Sequence, residues 1–258
     1  CKELPDDRLP GILAGLRENG AEYLVMNHPW CRRISENTAF GNWLEKTAAA
    51  SGLQFRDAHS PYGIDWDLNA PEPARRRILA ELQKTMLAHL ADIGVRTYTI
   101  HIGNYGDGSP EETHRLAAEM LAELLPAAEQ HNIIIALENI KHPVNSPAAL
   151  LRLIQEFDSS WLGICYDAGH AAIKDRGGDT LNTLAPWIIT CHLHDNNGTG
   201  DLHRMPGDGV IDWDSVMGRL RRCPRLISFQ SEVHWLKHEY PVDCLCRVFK
   251  RLCGEASP

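Results

Sequence analysis

Residues 192–203 read HLHDNNGTGDLH, which places three histidines and two aspartates around a turn that contains glycine. Imidazole nitrogens and carboxylate oxygens are the groups that bind Mn²⁺, Zn²⁺, Co²⁺ or Fe²⁺ in proteins. A metal ion held by such groups can polarise a substrate oxygen or activate a water molecule. A single histidine is more often a surface residue, so a metal site here requires matching ligands from other segments.

Matching ligands stand at the ends of most predicted strands. The six residues are His59, His101, Glu138, Asp167, His194 and Glu232. The carboxyl ends of all strands in a barrel meet on one face, where catalytic residues collect. One glutamate after an apolar run could simply mark where a strand meets water. Six strand ends that carry only histidine, aspartate and glutamate instead predict a shared metal site.

The elements that must position these ligands are short apolar runs that alternate with longer amphipathic segments. Residues rich in isoleucine, valine and aromatic side chains, or bounded by turn residues, predict seven strands. These cover 22–27, 53–59, 97–102, 133–139, 162–167, 188–194 and 226–232. Helical spacing recurs between them, and Ser109 and Ser146 each precede a proline at a predicted helix start.

This alternation predicts an α/β fold with parallel strands joined by right-handed crossovers. A length of 258 residues suits one (β/α)8 TIM barrel, so residues 1–258 are predicted to form a single domain. The chain opens on a helix-like segment, so we expect the first barrel strand to lie upstream of Cys1. An open doubly wound sheet is disfavoured because the sequence contains no GxGxxG turn.

Three further residues extend the ligand set: His170 in CYDAGHA, and Asp201 and His203 in GDLH. Side chains alternate between the two faces of a strand, so His192 points the same way as His194 but one layer deeper. We therefore interpret His192 as a residue that packs under or orients the ligands, rather than as a ligand.

Other residues near the strand ends are candidate contacts for a substrate. They are His28, Tyr62, Trp66, His234 and Trp235, together with Trp30, Tyr105 and His142. Each of them could equally be an ordinary loop or packing residue. The loops that carry them are where substrate choice is expected to lie.

Bulk properties exclude several classes of function. The net charge of −8 disfavours a general nucleic-acid binder, whose surface is usually basic. None of the eight cysteines forms a CxxC pair, and several stand in apolar strands, which indicates reduced thiols rather than disulfides. No apolar run is long enough to cross a bilayer and no secretory signal opens the sequence. We therefore expect a cytoplasmic protein without a membrane partner, and leave a homo-oligomer open.

With these residues, the sequence resembles members of the xylose isomerase-like TIM-barrel superfamily. That superfamily includes sugar phosphate isomerases and epimerases, inosose dehydratase and endonuclease IV. The resemblance runs through most of the chain. Its motifs are ALENI (136–140), CYDAGHA (165–171), HLHDNNGTGDLHRMPGDGVIDW (192–213) and SE (231–232). The long third segment is the most specific of them.

The isomerase and epimerase branch implies a four-ligand site for one divalent metal (Mn²⁺, Zn²⁺ or Co²⁺). Its ligands would be Glu138, Asp167, His194 and Glu232, and the two glutamates would exchange protons with the substrate. The endonuclease IV branch implies up to three zinc ions, with five additional ligands at His59, His101, His170, Asp201 and His203. Ketose 3-epimerase members usually carry arginine and glutamate where this chain has Gly200 and Val144, so that assignment is not favoured.

The sequence therefore predicts a metal-dependent sugar or sugar phosphate isomerase or epimerase that works by proton transfer through a metal-stabilised enediolate. The alternative is a metal-dependent phosphodiesterase that acts on abasic DNA, as endonuclease IV does. A dehydratase of the same fold and a metal-binding barrel without catalysis are less favoured.

Overall fold

Seven strands are present in the residues that the computed structural model describes, which are 6–103, 108–140, 143–175 and 179–254. They are β1 (Tyr23–Met26), β2 (Gln54–His59), β3 (Thr97–Ile100), β4 (Ile134–Glu138), β5 (Leu162–Asp167), β6 (Ile188–Leu193) and β7 (Ser228–Ser231). Every predicted strand is confirmed. The sheet follows the order of the chain from β1 to β7, and β2–β3, β3–β4, β4–β5 and β6–β7 pair in parallel.

The described helices separate these strands. They are α1 (Leu9–Glu18), α2 (His28–Glu36), α3 (Thr38–Ala50), α4 (Pro73–Asp92), α5 (Pro110–His131), α6 (Pro147–Phe157), α7 (Ala168–Asp175), α8 (Asp179–Leu184), α9 (Trp213–Leu220) and α10 (Val242–Cys253). The predicted caps are confirmed: Ser109 accepts a hydrogen bond from the backbone N–H of Glu112, and Ser146 accepts one from that of Ala149. No described helix is long and apolar enough to span a membrane.

Helix α2 was not predicted, and it contains His28. The side chain of Asn27 caps it by accepting the backbone N–H of Trp30 at 3.0 Å. Trp30, Cys31 and Ile34 form its buried face. The helix is nine residues long and follows the strand directly, so its periodicity is too brief to stand out in the sequence.

Contacts within the chain divide it into two compact units. One comprises residues 25–41 and 55–165 and is called the β2–β4 unit below. The other comprises residues 1–24, 42–54 and 166–258 and is called the β6–β7 unit. The prediction of a single domain stays a prediction, and each unit is described by itself.

In the β2–β4 unit, the strand register brings the ends of neighbouring strands level. His59 at the end of β2 pairs with Thr99, two residues before His101. Ile100 in turn pairs with Leu137, next to Glu138 at the end of β4. Parallel pairing thus places these three ligand candidates side by side at one edge.

The β6–β7 unit repeats this arrangement with fewer strands. Leu193 at the end of β6 pairs with Ser231 at the end of β7, so His194 and Glu232 follow directly at the same edge. Helix α1 packs against α10, and α9 packs against both α8 and α10.

Candidate metal centre

The first group of ligand candidates lies in the β2–β4 unit and is called the Glu138 cluster. Nε2 of His59 lies 3.2 Å from Oε2 of Glu138, and Nε2 of His101 lies 2.9 Å from the same oxygen. Glu138 is only 1% exposed. One ligand atom from each of the three residues lies within 4.8 Å of the other two, which is close enough for a shared metal ion.

The tautomer of His59 indicates that a cation fits this cluster. Nδ1 of His59 is 2.8 Å from the carbonyl oxygen of Ser60, and a carbonyl only accepts hydrogen bonds. Nδ1 therefore carries the hydrogen, and in the neutral ring Nε2 presents a lone pair to the carboxylate of Glu138. Two lone pairs at this distance repel unless a positive charge lies between them, and imidazole Nε2 with carboxylate oxygen is a suitable donor set for Zn²⁺, Mn²⁺ or Co²⁺.

The second group, called the His194 cluster, lies in the β6–β7 unit and consists of His194, Asp201 and His203. Oδ1 of Asp201 lies 3.3 Å from Nε2 of His203 and 3.9 Å from Nε2 of His194. The two imidazole rings stack with their centroids 4.0 Å apart. Nδ1 of His203 donates to the carbonyl oxygen of Glu232 at 2.8 Å, so Nε2 is the ring nitrogen that faces Asp201.

The remaining predicted ligands of this unit surround the His194 cluster. Oδ2 of Asp167 lies 3.1 Å from Nε2 of His194, and Nε2 of His170 lies 3.3 Å from Oδ2 of Asp201. The side chain of Glu232 is 26% exposed, and its Oε1 lies 3.2 Å from Nδ1 of His192. His192 is completely buried and its Nδ1 also lies 3.9 Å from Oδ2 of Asp167. Its interpretation as a residue that supports the ligands stays a prediction.

Hydrogen bonds and charges in the β6–β7 unit shift the pKa values of Asp201 and His203. Burial raises the pKa of Asp201, but hydrogen bonds from His170 and His203 outweigh it and hold that pKa well below its ordinary value. Burial lowers the pKa of His203, yet the hydrogen bond to Asp201 and the charge of Glu232 raise it overall. Asp201 is thus ionised, as a metal ligand must be.

Two of the predicted substrate contacts adjoin the Glu138 cluster. The ring of Tyr62 stacks on His101 with centroids 4.9 Å apart, and its hydroxyl oxygen lies 3.3 Å from Nε2 of His28. Burial, followed by the charge of His59, lowers the pKa of His28 to about 3. Tyr62 is 41% exposed, so part of its ring remains open to a ligand.

The other predicted contacts have different surroundings. His234 stacks on His203 at 4.0 Å, and burial together with the charge of His203 lowers its pKa to about 3. Trp235 instead packs against the apolar cluster of Met205, Val233 and Leu245. No ring contact joins Trp66 to a predicted ligand in the described part of the chain. Tyr105 and His142 lie outside the described residues.

Three residues that shape the site were not predicted. Ser60 supplies the carbonyl that orients His59, Asp195 accepts hydrogen bonds from the loop that carries Asp201, and Gly169 lies against the ring of His194. The latter two stand inside the quoted motifs, where their position between ligands was the available signal. The four-ligand set draws Glu138 from one unit and its other members from the second unit, and it stays a prediction.

Comparison with known proteins identifies the family. Residues 16–228 match a family model described as a xylose isomerase-like TIM barrel. The inosose isomerase of Bacillus velezensis is 26% identical over 165 residues, which are 59% of this chain and 58% of that protein. The curated relatives are covered over 63%, 37% and 58% of their own lengths, less than two thirds in each case.

Two solved structures share the fold. The apo form of the 3-keto-D-glucoside 4-epimerase YcjR from E. coli superposes with a TM-score of 0.77 at 18% identity, covering 97% of each chain. The TTHB071 protein of Thermus thermophilus, soaked with ZnCl2, gives a TM-score of 0.71 at 26% identity and covers 98% of this chain and 95% of that one. The predicted TIM-barrel fold is confirmed. Because the family model matches more than half of its residues, the chain belongs to the xylose isomerase-like TIM-barrel family.

Proposed function

We propose that this protein is a metal-dependent isomerase or epimerase of a sugar, a sugar phosphate or a related keto-polyol. The observation that carries the proposal is the convergence of His59 and His101 on one oxygen of the buried Glu138. The names of its relatives support the substrate class, since an inosose isomerase and a 3-keto-D-glucoside 4-epimerase both act on polyhydroxylated ketones.

The proposed metal ligands are Glu138, Asp167, His194 and Glu232, with His59 and His101 as additional ligands at Glu138. A divalent ion bound there supplies Lewis-acid polarisation of a substrate oxygen, which acidifies the neighbouring C–H group. The two glutamates differ in accessibility: the side chain of Glu138 is 2% exposed, and that of Glu232 is 26% exposed. Glu232 is therefore the better placed to take a proton from the substrate carbon, and Glu138 is proposed to take part in returning it.

Substrate binding is proposed for the aromatic and imidazole groups at the rim of each unit. In the β2–β4 unit, the exposed part of Tyr62 offers an apolar face to the C–H groups of a sugar ring, and His28 orients its hydroxyl. In the β6–β7 unit, His234 extends the stack of His194 and His203. Trp66 and Trp235 stay predictions as substrate contacts.

The test is incorporation of solvent deuterium into candidate inososes and keto sugars, followed by NMR and mass spectrometry. Glu138→Gln and Glu232→Gln are each expected to lower the rate by at least about 100-fold, the usual contribution of a positioned acid or base. Glu156→Gln is the matched control, because Glu156 is half exposed and pairs with His114 rather than with a member of the Glu138 cluster. Deuterium uptake that is unchanged in both glutamate variants would remove them from the mechanism, and loss of water would instead indicate a dehydratase.

A second candidate is a phosphodiesterase of the endonuclease IV kind. The observation in its favour is that each unit has its own three-ligand cluster, which is more than a single metal ion needs. The net charge of −8 weighs against it because duplex binding requires that several phosphates be neutralised. Elemental analysis separates one bound metal ion from three, and cleavage of a duplex with an abasic site tests this activity directly.

A further inference from the structure

Gln83 is a polar residue on the buried face of helix α4, where the other buried residues are apolar or small. It is completely buried, and neighbours on this face include Leu79, Met86 and Leu87. A buried primary amide destabilises the fold unless both of its ends form hydrogen bonds. The amide of Gln83 therefore needs a hydrogen-bond partner at each end.

Both ends of the Gln83 amide have a partner. The hydroxyl of Tyr98 in β3 donates to Oε1 at 2.7 Å, which fixes the orientation of the amide. Its Nε2 then donates to Oγ of Ser60 at 3.0 Å. This chain of hydrogen bonds runs from a strand, through the middle of a helix, to the residue that follows His59.

Ser60 is held from three directions. Its backbone N–H donates to the carbonyl of Thr99 at 2.8 Å, its hydroxyl donates to the carbonyl of Pro61 at 2.9 Å, and Gln83 donates to that hydroxyl. The carbonyl of Ser60 is consequently fixed where it accepts the Nδ1–H of His59 at 2.8 Å.

We infer that Gln83 is a positioning residue for His59: by holding Ser60, it keeps the hydrogen of His59 on Nδ1 and the lone pair of Nε2 directed at Glu138. The inference rests on the proposed metal binding at the Glu138 cluster and adds a residue that touches neither metal nor substrate. Outer partners of this kind commonly change metal affinity about 10–100-fold when they are removed.

The test compares the wild type with Gln83→Met, which keeps a side chain of similar length but removes both hydrogen bonds. Long-range ¹H–¹⁵N NMR of the metal-free protein reports which ring nitrogen of His59 carries the hydrogen. We expect Nδ1 of His59 to carry a hydrogen in all molecules of the wild type and in only part of the molecules of the variant. Titration with Zn²⁺, followed on the His59 signals, is expected to give an affinity at least about tenfold lower in the variant.

Two further variants keep the test decisive. Leu87→Ala lies four residues further along the same helix and removes no hydrogen bond. It is expected to lower the Tm, while the ring nitrogen of His59 that carries the hydrogen and the Zn²⁺ affinity remain unchanged. Tyr98→Phe removes the hydrogen bond to Oε1 of Gln83. It is expected to change the protonation of His59 Nδ1 and the Zn²⁺ affinity in the same direction as Gln83→Met, by a smaller amount. It replaces Gln83→Met if that variant does not fold.

A hydrogen on Nδ1 of His59 in all molecules, together with unchanged Zn²⁺ affinity, in Gln83→Met or in Tyr98→Phe where it replaces that variant, would overturn the inference. Failure of the proposed function looks different: the wild type would not bind Zn²⁺ at the Glu138 cluster at all. The tautomer of His59 in the metal-free proteins would then still decide whether Gln83 positions the ring.

Discussion

The indole N–H of Trp213 donates a hydrogen bond to Oδ2 of Asp195, 2.8 Å away, and so connects the two ends of the loop between β6 and α9. The same carboxylate also accepts the backbone N–H groups of Asn196, Gly207 and Ile211. Four donors on one completely buried carboxylate fix the path of this loop, which carries all three members of the His194 cluster.

Asp195→Asn is expected to destabilise the protein and to weaken metal binding at the His194 cluster. The amide turns one acceptor oxygen into a donor that faces other donors, and an unsatisfied buried group lowers the free energy of unfolding by about 1–3 kcal/mol. Urea unfolding of the metal-free protein measures this loss, and elemental analysis measures bound zinc. Asp65→Asn is the control because that side chain is 78% exposed. Equal stability of the two variants would contradict the anchoring role.

Gly169→Ala is expected to displace the ring of His194. A Cβ atom at position 169 would lie 2.0 Å from Cε1 of His194, far inside van der Waals contact, and the completely buried ring has little space to move. Overpacking of this kind destabilises a protein by about 1–3 kcal/mol. We also expect Zn²⁺ to bind the His194 cluster at least about tenfold more weakly, measured by calorimetric titration.

Gly218→Ala is the matched control for that substitution. Gly218 lies in helix α9, and a Cβ atom there would have no neighbour within 4 Å. Alanine is expected to stabilise the helix by about 0.5–1 kcal/mol relative to glycine, without any effect on metal binding. If Gly169→Ala behaved like Gly218→Ala, the close approach of the backbone to His194 would have no functional role.

The strand-end ligands could be predicted because their signal is local in the sequence. Glu138 and Asp167 each follow an apolar run of strand length, and a parallel fold places such positions at one edge. Gln83 and Gly169 could not be predicted in this way. Their roles depend on which atoms lie beside them in space, at Ser60 and at His194, and the sequence pattern does not specify these contacts.

The substrate contacts were harder to predict for a related reason. Tyr62 and Trp235 are both aromatic residues that follow a strand, yet one stacks on His101 and the other packs against an apolar cluster that includes Leu245. Helix α10 supplies Leu245, and its approach is a matter of packing rather than of strand periodicity. Proximity to a strand end therefore locates ligands better than it locates substrate contacts.

The stability of the metal-free protein is expected to fall as the pH falls, in part because of His28. Its folded-state pKa of about 3 lies below the ordinary 6.5, so the unfolded chain binds this proton more tightly. The resulting stability is fully present above pH 6.5 and is lost as the pH falls toward 3. Urea unfolding between about pH 7.5 and about pH 5 should show a smaller loss in His28→Gln than in the wild type. An identical loss of stability in the two proteins would show that His28 does not contribute to the pH dependence.

Glu138→Gln is expected to stabilise the metal-free protein while it reduces the stabilisation by Zn²⁺. In the wild type, the lone pair of His59 Nε2 faces one carboxylate oxygen of Glu138 at 3.2 Å, so a bound cation relieves repulsion. Zn²⁺ at about 1,000 times its Kd should add about 4 kcal/mol to the wild type. A glutamine amide can donate to one imidazole without any metal, which removes the need for the cation. Calorimetric Tm values with Zn²⁺ and with chelator measure both effects. A variant that is less stable than the wild type in chelator, and equally stabilised by Zn²⁺, would contradict a metal ion at Glu138.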